Sequence, residues 1–219
     1  MTQFKPLIWV EGIIGCGKTT LSRKVGEILG LRVIEEPVAE NPYLEPFYRD
    51  PQRYAFGLQV FMLHRRYAMQ QLASYECTPV SPYSGAILDR SISGDRVFAK
   101  LHFQAGNITD LDWATYQEAY SIMARSLLPP TLLVYLDAQP ETAHKRMSSR
   151  GREAESGVPL SYLKDLRDGY VELIEDAERG LLPWAHAVRV ARIPWDPDLV
   201  DDSTWAMVAR TIKDSCRGF

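Results

Sequence analysis

Several things are scarce in this sequence, and each scarcity excludes something. Only three cysteines occur, Cys16, Cys77 and Cys216, far apart and in no metal spacing, which argues for a reducing compartment without structural zinc and leads us to expect a cytoplasmic protein. The four histidines, 64, 102, 144 and 186, likewise form no ligand pattern. Nowhere do 18 apolar residues run uninterrupted, and the opening residues lack a basic stretch leading into a long apolar one, so neither a membrane partner nor secretion is expected. An excess of positive charge is also missing. Lys+Arg 25 against Asp+Glu 28 gives −3, so no broad basic surface for a nucleic-acid polymer is implied and clusters of arginine need local explanations. No repeat, low-complexity tract or GxGxxG fingerprint is present. What remains, 219 residues of ordinary globular composition, suits one domain over 1–219 with at most a small movable piece.

The most informative stretch is LIWVEGIIGCGKTT at residues 7–20. Leu7, Ile8, Trp9 and Val10 read as a buried strand, Gly12, Gly15, Gly17, Lys18 and Thr19 follow in the spacing GxxxxGKT, and a helical pattern begins after them. That order is the context of a phosphate cradle. Backbone N–H groups and the helix start favour anionic oxygens, Lys18 can reach outer phosphates, and Thr19 is suited to a magnesium ion.

Along the chain, residues 20–29 read as a helix ended by Gly30, and 31–34 as a second strand that stops at Glu35, Glu36 and Pro37. Paired carboxylates there would lie at the sheet edge where α/β folds put ligands. Residues 38–50 read as irregular because Pro42 and Pro46 divide any helix, while Tyr43, Phe47 and Tyr48 interleave with charge as a pocket wall would. Pro51 can open a long helix over 52–75 whose apolar residues cover more than one side. Such a helix is expected to be clasped by the sheet and by a second helix or a second subunit. Residues 86–88 form a third strand leading to Asp89, Arg90 and Ser91; 92–104 and 110–127 read as helices, the second capped at Thr109 or Asp110. The apolar run 131–136 is a central parallel strand followed by Asp137. A helix from near Pro140 carries Arg146 into a charged stretch with Arg150, Arg152, Glu153 and Glu155 among small residues, the composition of a mobile loop. A further helix from Pro159 or Leu160, a last strand at 187–193 and a helix over 201–215 complete the pattern.

Alternation of this kind implies a P-loop nucleotide-binding α/β fold, with a central parallel five-stranded sheet, helices on both faces and an arginine-rich lid near 148–158. One phosphate loop, aromatic pocket segments and late arginines suit phosphoryl transfer to a small acceptor. Two rivals stand beside it: a nucleoside monophosphate kinase, whose acceptor phosphate the Glu36 carboxylate would repel, and a non-enzymatic P-loop module that only binds nucleotide.

The ordered series Gly12-I-I-G-C-G-Lys18-Thr19, Glu36-Pro37-Val38, Tyr48-Arg49-Asp50-Pro51, Gln59, Asp89-Arg90-Ser91 with Asp95, and Arg150-G-Arg152-E-A-Glu155-S-G-V-P-L resembles the deoxynucleoside kinase family. The likeness is greatest to bacterial deoxyadenosine and deoxyguanosine kinases, because Glu40-Asn41-Pro42-Tyr43-Leu44 stands where many animal members carry a tryptophan. The resemblance implies an ATP-dependent 5′-kinase that requires Mg2+, acts on a purine deoxynucleoside or deoxycytidine, and forms a homodimer. It implies Glu36 as the base that takes the 5′-hydroxyl proton, a role a carboxylate within hydrogen-bond reach can fill, and Arg90 as the cation beside the moving phosphoryl group. Lys18, Thr19, Thr20, Arg146, Arg150 and Arg152 would hold ATP, and Asp89 would join Thr19 at the metal. Tyr48 and Glu155 would take the sugar 3′-hydroxyl, and Gln59, Arg66 and Asp95 would read the base. Gln59 and Arg66 lie about two helical turns apart on one face, as that requires.

Overall fold

In the computed structural model, which describes residues 5–35, 41–151, 157–185, 188–196 and 201–216, the apolar run Leu7–Glu11 (β1) is buried at all five positions. It forms the middle of a five-stranded sheet with Arg32–Ile34 (β2), Ala86–Asp89 (β3), Leu132–Asp137 (β4) and Arg189–Pro194 (β5), in the order β2-β3-β1-β4-β5. All four pairings are parallel, with Val10 opposite Asp89 on one side and Val134 on the other. The chain leaves β1 for β2 on one side and later passes it to β4 on the other. Loops therefore part at the carboxyl end of β1, where an α/β sheet opens a crevice for ligands.

Helix Lys18–Leu29 (α1) follows β1 directly, two residues earlier than its apolar pattern suggests. Within the stretch expected to be irregular, Leu44–Arg49 (α2) is helical. Pro46 is tolerated because it occupies the first turn, where an N–H has no intrahelical partner to lose. Helix Pro51–Glu76 (α3) starts as expected at a proline, with the Asp50 side chain accepting from Arg53 N. Ile92–Gln104 (α4) is capped by Ser91, and Asp110–Arg125 (α5) by Thr109, which accepts from Asp112 N. Pro140–Arg150 (α6), Leu160–Glu178 (α7) and Asp202–Ser215 (α8) complete the described helices. The last strand begins at Arg189 and takes in Pro194, slightly later than expected; Ala187 lies outside the described residues.

The long helix α3 is clasped as its pattern requires, and the clasp comes from the same chain. Tyr43 packs on Phe61 at 5.9 Å, Arg66 meets Asp95 of α4, and the Tyr67 hydroxyl lies 3.1 Å from Ser126 Oγ beyond α5. Sheet and helices enclose one apolar cluster centred on β1, β3 and β4. Its ten core residues at 7–10, 86–88 and 132–134 are at most 1% exposed. No described helix is long and apolar enough to cross a membrane.

Candidate active site

The glycine-rich loop wraps its own lysine. Lys18, only 7% exposed, donates to the carbonyls of Gly12 at 3.0 Å and Ile13 at 2.7 Å. Gly15 has a φ of +78°, and a Cβ there would lie 2.5 Å from the Ala143 carbonyl, so only glycine lets the loop turn against α6. Next on the helix, Thr19 Oγ1 donates to Asp89 Oδ2 at 2.5 Å, which ties α1 to the end of β3. The second Asp89 oxygen is buried without a hydrogen-bond partner among the described residues. A hydroxyl and a carboxylate with an unused buried oxygen form a hard-oxygen pair of the kind that suits Mg2+. Thr20 is exposed on the outer side of α1.

Arg90 follows in an unusual conformation. Its φ of 76° is the one positive value of a non-glycine among the described residues, a strained geometry that often marks a functional turn. The guanidinium lies 4.8 Å above the Phe98 ring, and Nη1 donates to the Tyr170 hydroxyl. Burial pushes the Tyr170 phenol far above its ordinary range, so it stays protonated. Arg66 and Asp95 form an ion pair between α3 and α4 with side chains 4% and 2% exposed. Gln59, on the same helix as Arg66, is also buried. Tyr48 is half exposed at the end of α2, where its neighbour Phe47 packs 5.0 Å from the His102 ring. Burial pulls the His102 imidazole down to about 4, so it is neutral at pH 7.

Arg146 is the arginine whose surroundings differ most from expectation. From α6 it donates Nη1 to the carbonyls of Cys16 at 3.2 Å and Trp195 at 2.9 Å, and Nη2 to that of Asp196 at 3.0 Å. These bonds join the glycine-rich loop to the turn after β5. Arg150 is exposed at the end of α6. Glu36, Arg152 and Glu155 lie outside the described residues. Glu35 turns to the surface, where Arg23 of α1 grips it with two bonds of 2.5 and 2.6 Å and holds its carboxyl below the usual range. Asp137 is paired with Arg167 of α7 at 2.9 Å.

Two participants escape sequence reasoning. Glu11 is fully buried, with Oε1 accepting from both Ser91 N at 2.8 Å and Ser91 Oγ at 2.6 Å. Tyr170 reads as one more core residue in helical spacing, yet its hydroxyl holds Arg90. A charge closing an otherwise apolar strand is the signal that could have found Glu11. Among the described residues the buried formally charged side chains are Glu11, Lys18, Arg66, Asp89, Arg90 and Asp95. All six stand around the carboxyl ends of β1 and β3, and three of each sign cancel. A protein core avoids such groups unless they are paired and used.

An α/β sheet that gathers its buried charges beside a glycine-rich loop defines a nucleotide-handling protein, and comparison with known proteins narrows the class. Residues 8–214 match the family model described as deoxynucleoside kinase, and the chain belongs to that family. It is 34% identical over 210 residues to the deoxyadenosine kinase of Dictyostelium discoideum, covering 96% of this chain and 80% of that one. To the deoxyadenosine/deoxycytidine kinase of Bacillus subtilis (strain 168) it is 35% identical over 167 residues, 75% of this chain and 74% of the other. The solved structure of deoxyadenosine kinase from M. mycoides with products dCMP and a flexible dCDP superposes with a TM-score of 0.77 at 25% identity, over 95% of this chain and 99% of that one.

Proposed function

We propose that this protein transfers the γ-phosphoryl group of ATP to the 5′-hydroxyl of a deoxynucleoside. A purine, deoxyadenosine or deoxyguanosine, is the preferred acceptor, with deoxycytidine the alternative. The observation that carries the reading is the buried Arg66–Asp95 pair, about two helical turns along α3 from the buried Gln59 and one helical turn into α4 from Arg90. Desolvating two charges is costly and nothing in the packing of α3 on α4 demands it. A guanidinium, a carboxylate and an amide together supply donors and acceptors for one base edge. Relatives named for deoxyadenosine and deoxycytidine kinase activity agree with a base pocket of this polarity.

In this reading the loop from Gly12 through Gly15 and Gly17 to Lys18, Thr19 and Thr20 is a P-loop that holds the triphosphate. Lys18 exchanges its carbonyl contacts for phosphate oxygens when ATP enters. Thr19 and Asp89 would hold Mg2+, which when bound offsets triphosphate charge. Glu36, at the end of β2, accepts the 5′-hydroxyl proton, and an alcohol losing its proton becomes the better nucleophile. Arg90 faces the developing charge on the moving group, joined by Arg150 and Arg152 of a lid over residues 148–158. Arg146 acts from behind, keeping the P-loop and the turn after β5 in register. Tyr48 and Glu155 take the 3′-hydroxyl. The domain is single, over residues 1–219, and the working unit is a homodimer, as the family resemblance implies. Helix α3 is packed on two sides by its own chain yet leaves Val60, Leu72 and Tyr75 exposed, apolar surface that a partner subunit would cover.

Coupled release of ADP, measured over the four deoxynucleosides and their monophosphates, tests the reading. Turnover is expected with deoxyadenosine or deoxyguanosine, with none on monophosphates, and the Glu36→Gln variant should lose it by about 10²-fold or more. Turnover on monophosphates alone, or nucleotide binding without ADP release on any acceptor, refutes it.

A further inference from the structure

The left-handed turn at Arg90 is held from β1 by two consecutive residues. Arg90 N donates to Val10 O at 3.0 Å, and the next residue, Ser91, donates both N–H and Oγ–H to Glu11 Oε1. The same Ser91 hydroxyl accepts from Ser93 N at 3.1 Å, so it links Glu11 to the first turn of α4. The other carboxylate oxygen, Oε2, has no hydrogen-bond partner among the described residues. It lies against Gly94, where a Cβ would stand 2.6 Å from Glu11 Oε2, 2.9 Å from the Tyr170 hydroxyl and 3.1 Å from Arg90 Cγ. Carboxylate, phenol and arginine stem thus converge on the space that glycine leaves, and the phenol is the group that accepts from the Arg90 guanidinium. Glu11 therefore bears on Arg90 at both ends, through Ser91 on its backbone and through charge beside Tyr170 on its head.

Packing alone gives no reason for this residue. The four positions before it on β1 are apolar and at most 1% exposed, and an aliphatic side chain would bury there at no desolvation cost. We infer that Glu11 is a positioning residue for phosphoryl transfer: it pins the strained turn that aims Arg90 at the transferred group. The inference rests on the kinase reading above and adds to it a residue that touches neither substrate.

Steady-state kinetics on the full chain, with ATP and the best deoxynucleoside, test it. Glu11→Ala should lower kcat by about 10²-fold while both KM values stay within about threefold, the pattern of an interaction lost in the transition state only. Glu11→Gln keeps an oxygen for Ser91 in the same place and should recover kcat to within about tenfold of the wild type. In an Arg90→Lys background, Glu11→Ala should cost less than about threefold more, because the path to be broken is already gone. A kcat for Glu11→Ala within threefold of wild type, with Arg90→Lys impaired, overturns the inference; so does an equal loss in both backgrounds, which would mark a merely structural role. Should Glu11→Ala fail to fold, Ser91→Ala removes the hydroxyl link alone, and a kcat unchanged in that variant overturns the inference as well. Wild-type protein inactive on every deoxynucleoside sinks the kinase reading and this inference with it, whereas active wild type with indifferent Glu11 variants sinks the inference alone.

Discussion

Replacing Asp95 by Ala separates what the Arg66–Asp95 pair does for stability from what it does for recognition. With side chains 4% and 2% exposed, neither partner can turn to solvent when the other is lost. The truncated protein keeps the Arg66 guanidinium buried without its Asp95 partner, and breaking a buried pair in this way costs about 3–5 kcal/mol. In a chain of this length each kcal/mol lowers Tm by roughly 2–4 °C, so a drop on the order of 6–20 °C is expected. The double variant Arg66→Met/Asp95→Leu removes both charges and fills the space with apolar groups of similar size. It should return to within about 1 kcal/mol of wild type or exceed it, since a buried pair often contributes no net stability against a hydrophobic replacement. Its kcat/KM for the best deoxynucleoside should nevertheless fall by about 10²-fold or more, because polar groups on the base edge would enter a pocket that no longer answers them. Thermal unfolding and coupled ADP release, run on the same three proteins, give both quantities. The reasoning fails if Asp95→Ala melts within about 2 °C of wild type, or if the double variant keeps its kcat/KM within about threefold.

Two more outcomes follow from single side chains. Burial holds the His102 imidazole near 4 in the folded protein against an ordinary 6.5, so between those values the unfolded chain binds the proton and the folded one does not. Stability from this group is complete above pH 6.5 and is lost as pH falls, by about 2.5 kcal/mol at pH 4.5. His102→Phe should therefore show a smaller drop in Tm between pH 7 and 4.5 than wild type, and equal drops would count against a buried neutral imidazole. Arg146→Met removes three bonds to the carbonyls of Cys16, Trp195 and Asp196. KM for ATP should rise roughly tenfold with KM for the deoxynucleoside little changed, and the reverse split would contradict its place behind the P-loop.

The parts of the fold that sequence made plain are those where one local signal decides the matter. Runs such as 7–10 and 132–136 are apolar throughout, as strands buried on both faces must be, and Pro51 marks a helix start. Helix α2 was hidden because a proline reads as a breaker until its position within the first turn is known. Strand order could not be read at all, since β2 pairs with β3 and not with β1. At the site, Lys18 and Thr19 were legible from the GxxxxGKT spacing after a strand, whereas Asp89, Arg90, Gln59, Arg66 and Asp95 took their roles from the resemblance to the deoxynucleoside kinase family. Glu11 was passed over because its one signal, a charge closing an apolar run, also looks like the ordinary point where a strand meets water. Its pairing with Tyr135 of β4 and its full burial show that this strand end is still inside. Tyr170 was legible as core and illegible as ligand to Arg90, because helical spacing reports where a ring is buried and nothing about its hydroxyl.

The balance of buried charge at the strand ends gives the site its logic. Three anions and three cations, none more than 7% exposed, together with a positive φ at Arg90, would be a poor use of a protein interior if stability were the only criterion. The interior tolerates them because Arg66 is paired with Asp95 and Glu11 lies close to the Arg90 stem, and because β1 and β3, which carry Glu11 and Asp89, are fixed by the apolar core. The pairing is also partial. One oxygen each of Glu11 and Asp89 has no hydrogen bond among the described residues. Groups held in this way keep interaction energy in reserve for charge that arrives later, and they need little rearrangement when it does. Substitutions that satisfy them within the protein should accordingly raise stability and lower turnover together, whereas substitutions in the apolar strands should lower both. That opposition follows from the gathering of the described buried charges around the carboxyl ends of β1 and β3, where the proposed reaction would receive its polyanion.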